Sequence, residues 1–355
     1  MKIIQLLENN KINHAYRYAH EFETAIETYH SNNLASIIIS ENLSKEEIDD
    51  INNYDYLFIH SLYNNNETYS KIINNINIKK VLFIHEYSVQ EFKYNKNSTY
   101  IQQLLYNCYK ICVCGWNTAL INELKKIFTP EIFEKKIIYT DLIYNFYKQN
   151  WVDYHSKNKD FLFINHSENT AKLCNKYITL YKQYKETLDI SYFKLFGVSK
   201  NIQSINVNDL YVNIETQQKS QITNIVSEYN EQVTDKLNIY ETADYSKFQG
   251  IAKRSFIVED LSDNISYTIL DSINSGTVII LSASLLKKYK ISPTQTLDTL
   301  DYILNEENIK DASLFIKETQ YEYNRNTVYN VFRRILNAET ISKNILDSLK
   351  DGEGL

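Results

Sequence analysis

Short apolar runs rich in Ile, Val, Phe and Tyr alternate with longer segments of helical periodicity along most of the chain. In such a pattern each helix crosses from one strand to the next, and the strands pair in a parallel sheet with helices on both faces. The alternation therefore predicts an α/β fold built from doubly wound parallel sheets. The predicted strands of the first half begin at Lys2, Ala35, Tyr54, Lys79, Tyr109 and Lys135, and a helix is predicted from Asn117 to Phe128.

A polar segment between residues 145 and 160 interrupts the alternation, and a second series of apolar runs follows it. With 355 residues the chain can form two domains that each bury a core. We predict a Rossmann-like domain over 1–152, a second one over 153–330 and a helical tail over 331–355, with the two domains facing a central cleft. The strands of the second series begin at Asp160, Ser191, Leu237, Arg254 and Gly276, and helices are predicted near 169–184, 242–249 and 266–275.

Composition and missing motifs argue against several classes of protein. The 38 Lys+Arg and 44 Asp+Glu residues give a net charge of −6, so any surface for nucleic acid must be local. The four cysteines lack the paired spacing of a metal site, and we expect reduced structural thiols. No apolar stretch approaches the ~20 residues of a membrane span, which predicts a soluble, cytoplasmic protein. No GxGxxG or GxxxxGK[ST] loop follows the first strand, which disfavours dinucleotide-dependent oxidoreductases and P-loop enzymes.

Two acids in the segment DLSDNISYTILDSINSGTVIILS are candidates for nucleotide recognition. Asp263 and Asp271 are about two helical turns apart, which predicts that both carboxylates lie on one side of a helix. An ionised carboxylate can accept a pair of hydrogen bonds from ribose hydroxyls. The alternative is a solvated acidic helix face. Gly276 and Thr277 then open a predicted buried strand.

His85 and Glu86 stand at the end of the predicted strand KKVLFIHEYS in the first half. Open α/β sheets expose the residues that follow their strands to the ligand crevice. A His beside a carboxylate can contact sugar hydroxyls and manage an acceptor proton, although a His at a strand end can also be purely structural. His60 ends the preceding strand and is a weaker candidate that supports the site by packing.

Candidate anion-binding residues follow the predicted strand DFLFIN. His166, Ser167 and Lys172 lie at the predicted start of a helix, where backbone N–H groups and the helix dipole favour a diphosphate. A plain capped helix is the alternative. Arg254 is predicted to open a strand beside Gly250, where it would contact a phosphate or a base, or form an ion pair.

The segment VQEFKYNKNSTY, from Val89 to Tyr100, combines basic and aromatic residues directly after His85 and Glu86. Lysines can bind phosphates, and aromatic rings can support a base that has left the stack. The alternative is a solvated loop. The residues concerned are Lys93 and Lys96 with Phe92, Tyr94 and Tyr100.

Taken in order, these motifs resemble the DNA α-glucosyltransferase family of T-even phages over most of the chain. In the first half the resemblance lies in YDYLFIHSLY, KKVLFIHEYSV and ICVCGWNTALINELKKIF. In the second half it lies in ISYTILDSINSGTVII, which is similar to the family's donor-binding helix and strand, and in YEYNRNTVYNVFRRIL, which is similar to its terminal helix. The resemblance implies the GT-B fold and a retaining glycosyltransferase that uses UDP-glucose and modifies 5-hydroxymethylcytosine in double-stranded DNA.

The resemblance also implies roles for individual residues. His85 and Glu86 match a His-Asp pair at the reaction centre, and Asp271 matches the acid that holds the ribose of UDP. The segment from Gly250 to Phe256 matches a loop near the uracil. This chain departs from the family pattern at several positions. His166 lies at or near the position of the family's phosphate-binding Arg, Lys172 lies near that of its Lys, and the segment from Asn9 to Tyr16 replaces its Gly-rich loop. Ser266, next to Tyr267, replaces an acid of the family, and Asp263 is the substitute for that acid.

The function predicted from the sequence is transfer of a hexose, glucose by default, from a UDP-sugar to a hydroxymethylated pyrimidine in phage DNA. Glu86 is expected to position or deprotonate the acceptor hydroxyl, and His85 to hold the sugar. We expect a monomer without a permanently bound cofactor and without an essential metal. The alternatives are a GT-B glycosyltransferase that acts on a protein or envelope glycan, and a non-catalytic nucleotide-binding module.

Overall fold

The chain divides into two compact units, Met1–Phe146 with Arg334–Leu355 and Tyr147–Arg333, which we call the first and second units. The helix Glu318–Ile335, labelled α10, begins in the second unit and ends in the first, so the residues that follow it belong to the first unit. The computed structural model describes residues 1–7, 14–40, 43–60, 66–85, 92, 99–115, 117–147, 151–158, 160–164, 192–198, 205–206, 211–212, 237–241, 245–291, 303–305 and 317–350.

The first unit contains a six-stranded parallel sheet in the order β2-β1-β3-β4-β5-β6. The strand order reverses between β1 and β3, and in open α/β sheets the crevice for ligands lies outside the carboxyl ends of the strands at this point. All six predicted strands are confirmed. They are β1 (Lys2–Leu7), β2 (Leu34–Ile39), β3 (Tyr56–Ile59), β4 (Lys79–Ile84), β5 (Lys110–Cys114) and β6 (Ile137–Thr140).

Helices connect the strands of the first unit, and side chains cap the starts of several of them. Asn117 accepts a hydrogen bond from the Leu120 amide at the start of α5, and Thr129 caps α6 in the same way. At the end of the chain, the hydroxyls of Tyr56 and Tyr109 donate to the carbonyl of Leu349 and hold α11 on this unit. The helices are α1 (His14–Tyr29), α2 (Lys45–Ile51), α3 (Asn66–Asn75), α4 (Thr99–Asn107), α5 (Thr118–Ile127), α6 (Pro130–Lys136) and α11 (Ala338–Lys350).

The second unit contains a five-stranded parallel sheet in the order β11-β8-β7-β12-β13, with the reversal between β7 and β12. All five predicted strands are confirmed, and a short antiparallel pair, β9 with β10, was not predicted. The strands are β7 (Asp160–Ile164), β8 (Tyr192–Val198), β9 (Ile205–Asn206), β10 (Tyr211–Val212), β11 (Leu237–Glu241), β12 (Ile257–Asp260) and β13 (Val278–Leu281). The helices are α7 (Tyr245–Arg254), α8 (Tyr267–Asn274), α9 (Ala283–Lys288) and α10 (Glu318–Ile335), with a 3₁₀ turn at Tyr154–Ser156.

Arg254 closes a helix, and the prediction that it opens a strand is wrong. It is the last residue of α7 and is exposed. The amide of Ser255 donates to the carbonyls of Ile251 and Ala252, and its hydroxyl donates to the Ile251 carbonyl as well, so Ser255 closes the last turn of the helix. Strand β12 therefore begins only at Ile257.

The turn between α8 and β13 is held by four polar side chains of the second unit. The indole N–H of Trp151 donates to the carbonyl of Asn274, and Arg325 donates to the carbonyl of Gly276. Lys157 donates to the hydroxyl of Thr277, which in turn donates to the carbonyl of Ala252. These bonds fix the end of helix α8, which carries Asp271.

Gly276 is required at this turn for two reasons. Its φ of +67° lies in the left-handed region, and a Cβ at this position would overlap the indole ring of Trp151. A left-handed backbone alone costs an L-residue about 1–2 kcal/mol, and the overlap adds to that cost.

We predict that Gly276→Ala lowers the free energy of unfolding of the second unit by more than about 2 kcal/mol. Urea unfolding followed by Trp151 fluorescence in a Trp116→Phe background measures this unit. Gly250→Ala is the matched control, because Gly250 lies in α7 with no heavy atom within 4 Å of its missing Cβ. The control should raise stability by about 0.5–1 kcal/mol. An unchanged midpoint in Gly276→Ala would contradict the requirement for glycine.

Burial, together with the neighbouring charge of Arg325, lowers the pKa of Lys157 to about 7. In the unfolded chain a lysine titrates near ~10.4, so between these values the unfolded state binds more protons than the folded state. The contribution of Lys157 to the stability of the second unit is therefore least favourable below pH 7 and becomes more favourable as the pH rises towards ~10.4.

We predict that unfolding of the second unit becomes less favourable by roughly 2–3 kcal/mol between about pH 7 and pH 9.5 because of Lys157. Lys157→Met should remove this slope while the slope from other groups stays. The measurement is a series of urea unfolding curves at several pH values for both proteins. Parallel curves across this window would show that Lys157 keeps its proton in the folded protein.

Candidate functional site

Helix α8 follows β12, one of the two strands at which the sheet order of the second unit reverses. Ser266 has an extended backbone and its hydroxyl accepts a hydrogen bond from the Ile269 amide, so it caps the helix. Seven of the eight helical residues are buried, including Tyr267 and Asp271. A solvated acidic face is therefore excluded for this helix.

The carboxylate of Asp271 is buried, and its Oδ1 accepts a hydrogen bond of 2.7 Å from the side-chain amide of Gln249. Gln249 lies on α7 next to Gly250, and α7 packs against α8. The amide satisfies a carboxylate that burial would otherwise destabilise. Sequence reasoning missed Gln249, because nothing in its local pattern indicates that α7 and α8 are neighbours.

The prediction that Asp263 and Asp271 share a helix is wrong. The Ser266 cap starts the helix three residues after Asp263, which therefore lies in the connection from β12. Asp263 Oδ1 accepts a hydrogen bond of 3.2 Å from Ser282, and the carbonyl of Asp263 accepts one from Lys288. The first bond ties the connection to the residue that precedes α9, and the second ties it to the last residue of that helix.

Asp260, which sequence reasoning also missed, is the acid that organises the start of α8. It ends β12 and is fully buried. Its Oδ2 accepts from the hydroxyl of Thr268 at 2.9 Å and from that of Ser266 at 3.5 Å, and Oδ1 accepts from the amide of Ser262 at 3.1 Å. A carboxylate at the carboxyl end of a strand is the sequence signal that would have found it.

In the first unit, His85 directly follows β4 and His60 directly follows β3. Both side chains are buried, and His60 Nδ1 lies 3.1 Å from His85 Nε2. His60 Nε2 lies 2.9 Å from the Oε1 atom of Gln5 on β1. Burial lowers the pKa of His60 well below its usual value, and the neighbouring charge of His85 adds to this effect. His60 is therefore neutral at neutral pH.

Several predicted site residues lie outside the described residues. Phe92 is described, and it is buried in the hydrophobic core of the first unit, so the prediction that it supports a base is wrong. Its large apolar ring stabilises that core more than it would a solvated loop. The predicted residues outside the described part of the chain are Glu86, Lys93, Tyr94, Lys96, His166, Ser167 and Lys172.

Other candidate chemistries find no support among the described residues. No group of three or more His, Cys, Asp or Glu in that part of the chain is arranged to hold a metal ion. Burial raises the pKa of the Cys108 thiol to about 12, so this thiol is not a nucleophile at neutral pH. None of the described helices is both long enough and apolar enough to cross a membrane.

No family model and no curated protein matches this sequence. Solved structures do match along the whole chain. The T4 α-glucosyltransferase in complex with UDP and a 13-mer DNA containing an HMU base has a TM-score of 0.68 and is 14% identical, over 98% of both chains. The fold is GT-B.

Two further structures share the GT-B fold with this chain. Anabaena HepE in complex with UDP and glucose has a TM-score of 0.60 and 10% identity, and the match covers 99% of both chains. A glycosyltransferase from Rickettsia africae has a TM-score of 0.57 and 12% identity, over 100% of this chain and 99% of the other. The fold expected from the sequence is therefore confirmed.

We predict that Asp260→Ala lowers the free energy of unfolding of the second unit by about 2–4 kcal/mol, because Thr268 and Ser262 lose a buried charged acceptor. Asp263→Ala is the matched control and should lower the free energy of unfolding by less than about 1 kcal/mol, because Asp263 lies in the connection between β12 and α8. Trp151 fluorescence during urea unfolding measures both. Equal losses would mean that Asp260 does not organise the helix start.

Proposed function

We propose that this protein is a retaining glycosyltransferase that moves a hexose, glucose by default, from a UDP-sugar to 5-hydroxymethylcytosine or a related hydroxymethylated base in double-stranded DNA. The observation that carries the donor half of the proposal is the buried carboxylate of Asp271, held by Gln249 beside the reversal point of a parallel sheet. The acceptor half is supported by the match to a glucosyltransferase that was solved with UDP and HMU-containing DNA.

In this proposal the second unit binds the donor. The carboxylate of Asp271 accepts hydrogen bonds from the ribose hydroxyls, which replace or join the amide of Gln249. Burial strengthens these bonds, because water competes poorly for a carboxylate in a region of low dielectric constant. Other residues are also assigned to donor binding. The diphosphate is contacted by His166, Ser167 and Lys172, and the base by Gly250 and Arg254. The remaining donor-binding residues lie at or just before the start of α8 and are Asp263, Ser266 and Tyr267.

The proposed reaction is a displacement on one face of the sugar. The bond from C1 to the diphosphate oxygen breaks while the bond from C1 to the acceptor oxygen forms on the same face, so that configuration is retained. Lys172 and His166 stabilise the charge that develops on the leaving diphosphate. Glu86 positions the acceptor hydroxyl and accepts its proton, and His85 holds the sugar.

The proposed DNA surface is the segment with Lys93, Tyr94 and Lys96, which follows the pair of catalytic residues. The net charge of −6 makes a general attraction to DNA weak, so binding depends on such a local group of cations. We propose that the protein acts as a monomer and needs no permanently bound cofactor or metal.

A second candidate is a glycosyltransferase of the same fold with a protein or envelope glycan as acceptor. It is supported by the matches to Anabaena HepE and to the Rickettsia africae glycosyltransferase, because the shared fold leaves the acceptor open and both matches cover the chain as completely as the match to the complex with DNA does. The two candidates share the donor site and differ only in the acceptor.

We predict that the protein transfers glucose from UDP-glucose to hydroxymethylcytosine DNA and to no DNA of ordinary bases. Asp271→Asn should lower kcat/KM roughly 30- to 100-fold, because a neutral amide replaces a charged acceptor. Glu86→Gln should lower kcat by about 10²–10⁴-fold through loss of the base. Mass spectrometry of the digested nucleosides measures the product.

Asp347→Asn is the control for these substitutions, since Asp347 is half exposed and pairs with Lys350 near the end of α11. It should leave kcat/KM unchanged. Binding of UDP-glucose without transfer to any DNA would overturn the DNA acceptor and favour the glycan acceptor. Failure to bind any UDP-sugar would overturn the donor half and favour a non-catalytic module.

A further inference from the structure

A chain of hydrogen bonds runs through the first unit from a backbone carbonyl to His85. The amide nitrogen of Gln5 donates to the carbonyl of Ala19 at 2.9 Å. The amide oxygen of Gln5 lies 2.9 Å from His60 Nε2, and His60 Nδ1 lies 3.1 Å from His85 Nε2. The side chains of Gln5 and His60 are fully buried, whereas His85 is 8% exposed at the sheet edge.

The direction of every bond in this chain follows from its fixed end. A backbone carbonyl can only accept, so the Gln5 amide must turn its nitrogen toward Ala19 and its oxygen toward His60. The amide oxygen also only accepts, so His60 Nε2 carries a proton. Since His60 is neutral, its Nδ1 has a lone pair, and His85 Nε2 must be the donor between the two rings.

Aromatic rings that pack around His60 keep its imidazole neutral. The ring of Phe83 stacks on it with 4.6 Å between centroids, and the rings of Tyr18 and Phe58 also pack against it. Burial raises the pKa of Tyr18 well above its usual value, so the phenol adds no charge. If His85 were charged, its charge would also oppose a proton on Nδ1 of His60.

We propose that Gln5 and His60 are positioning residues that hold His85 as the Nε2–H tautomer, so that Nδ1 of His85 accepts a hydrogen bond from a hydroxyl of the transferred sugar. This inference rests on the proposed function for the identity of the ligand. The tautomer itself follows from the hydrogen-bond chain. Neutral His85 then accepts at Nδ1, whereas the imidazolium carries protons on both nitrogens and cannot accept.

The first experiment reads the tautomer without any turnover. The full-length protein is labelled with ¹⁵N-histidine, and long-range ¹H–¹⁵N spectra distinguish protonated ring nitrogens from those with a lone pair. We expect Nε2–H and unprotonated Nδ1 for both His60 and His85, assigned by their loss in single variants. A proton on Nδ1 of neutral His85 would overturn the proposal whether or not the protein transfers sugar.

The second experiment uses two amides of different length at position 60. His60→Asn places an amide near the former Nδ1, where its oxygen can accept from His85. His60→Gln extends the amide to the former Nε2, where it can bond to Gln5 but leaves the His85 Nε2–H without an acceptor. We expect kcat/KM with UDP-glucose to stay within ~3-fold in His60→Asn and to fall roughly 10-fold or more in His60→Gln.

The fall in His60→Gln should be accompanied by a changed pH profile of kcat/KM. In the unsubstituted protein activity should decrease as His85 takes up a second proton, and this limb should shift when the tautomer is no longer fixed. His20→Gln is the control, because His20 lies on the same unit with its side chain 46% exposed. Equal losses in His60→Asn and His60→Gln at equal stability would overturn the proposal in favour of simple packing.

The third measurement identifies the hydroxyl. UDP-glucose, UDP and hydroxymethylcytosine DNA are added separately to the labelled protein, and the His85 Nδ1 resonance is followed. We expect a shift with UDP-glucose that UDP alone does not reproduce. A shift with DNA only would overturn the assignment of the ligand to the sugar. If the protein binds UDP-glucose without transferring it, the proposed function is wrong, but the tautomer of His85 and its contact with the sugar are still decided by these spectra.

Discussion

The parallel pairing of buried strands is the constraint on which the rest of this structure depends. Parallel strands place all their carboxyl ends at one edge of the sheet, and the residues that follow them become neighbours. His60 follows β3 and His85 follows β4, and these two strands pair in parallel. In the second unit Asp260 ends β12, and the helix that carries Asp271 starts from the same edge.

The buried polar side chains of both candidate sites have partners that fix their orientation. In the second unit the amide of Gln249 holds the carboxylate of Asp271, and Asp260 satisfies the start of the same helix. In the first unit Gln5 and His60 set the orientation and protonation of His85. An unsatisfied buried polar group costs more free energy than a single hydrogen bond contributes. We therefore expect the side chains of each site to be ordered before a ligand binds.

The fold narrows the function without deciding it, since one fold supports many chemistries. Structures that share 10–14% of their residues with this chain over nearly its whole length include complexes with UDP. The proposal for the donor rests on Asp271 and its buried surroundings in this chain. The proposal for DNA as acceptor rests on the sequence resemblance and on one matching complex, which is why the acceptor is tested separately from the donor.

Local sequence determined the strands, several helix boundaries and the glycine at the turn. The period of apolar residues, the capping side chains of Asn117 and Ser266 and the left-handed backbone of Gly276 all act within a few residues, so they can be read along the chain. Tertiary structure decided which polar groups meet. Gln5 lies on β1, whereas His60 and His85 follow β3 and β4. The carbonyl of Leu349 accepts hydrogen bonds from Tyr56 and Tyr109. Such contacts depend on strand order and helix packing, which no local pattern encodes.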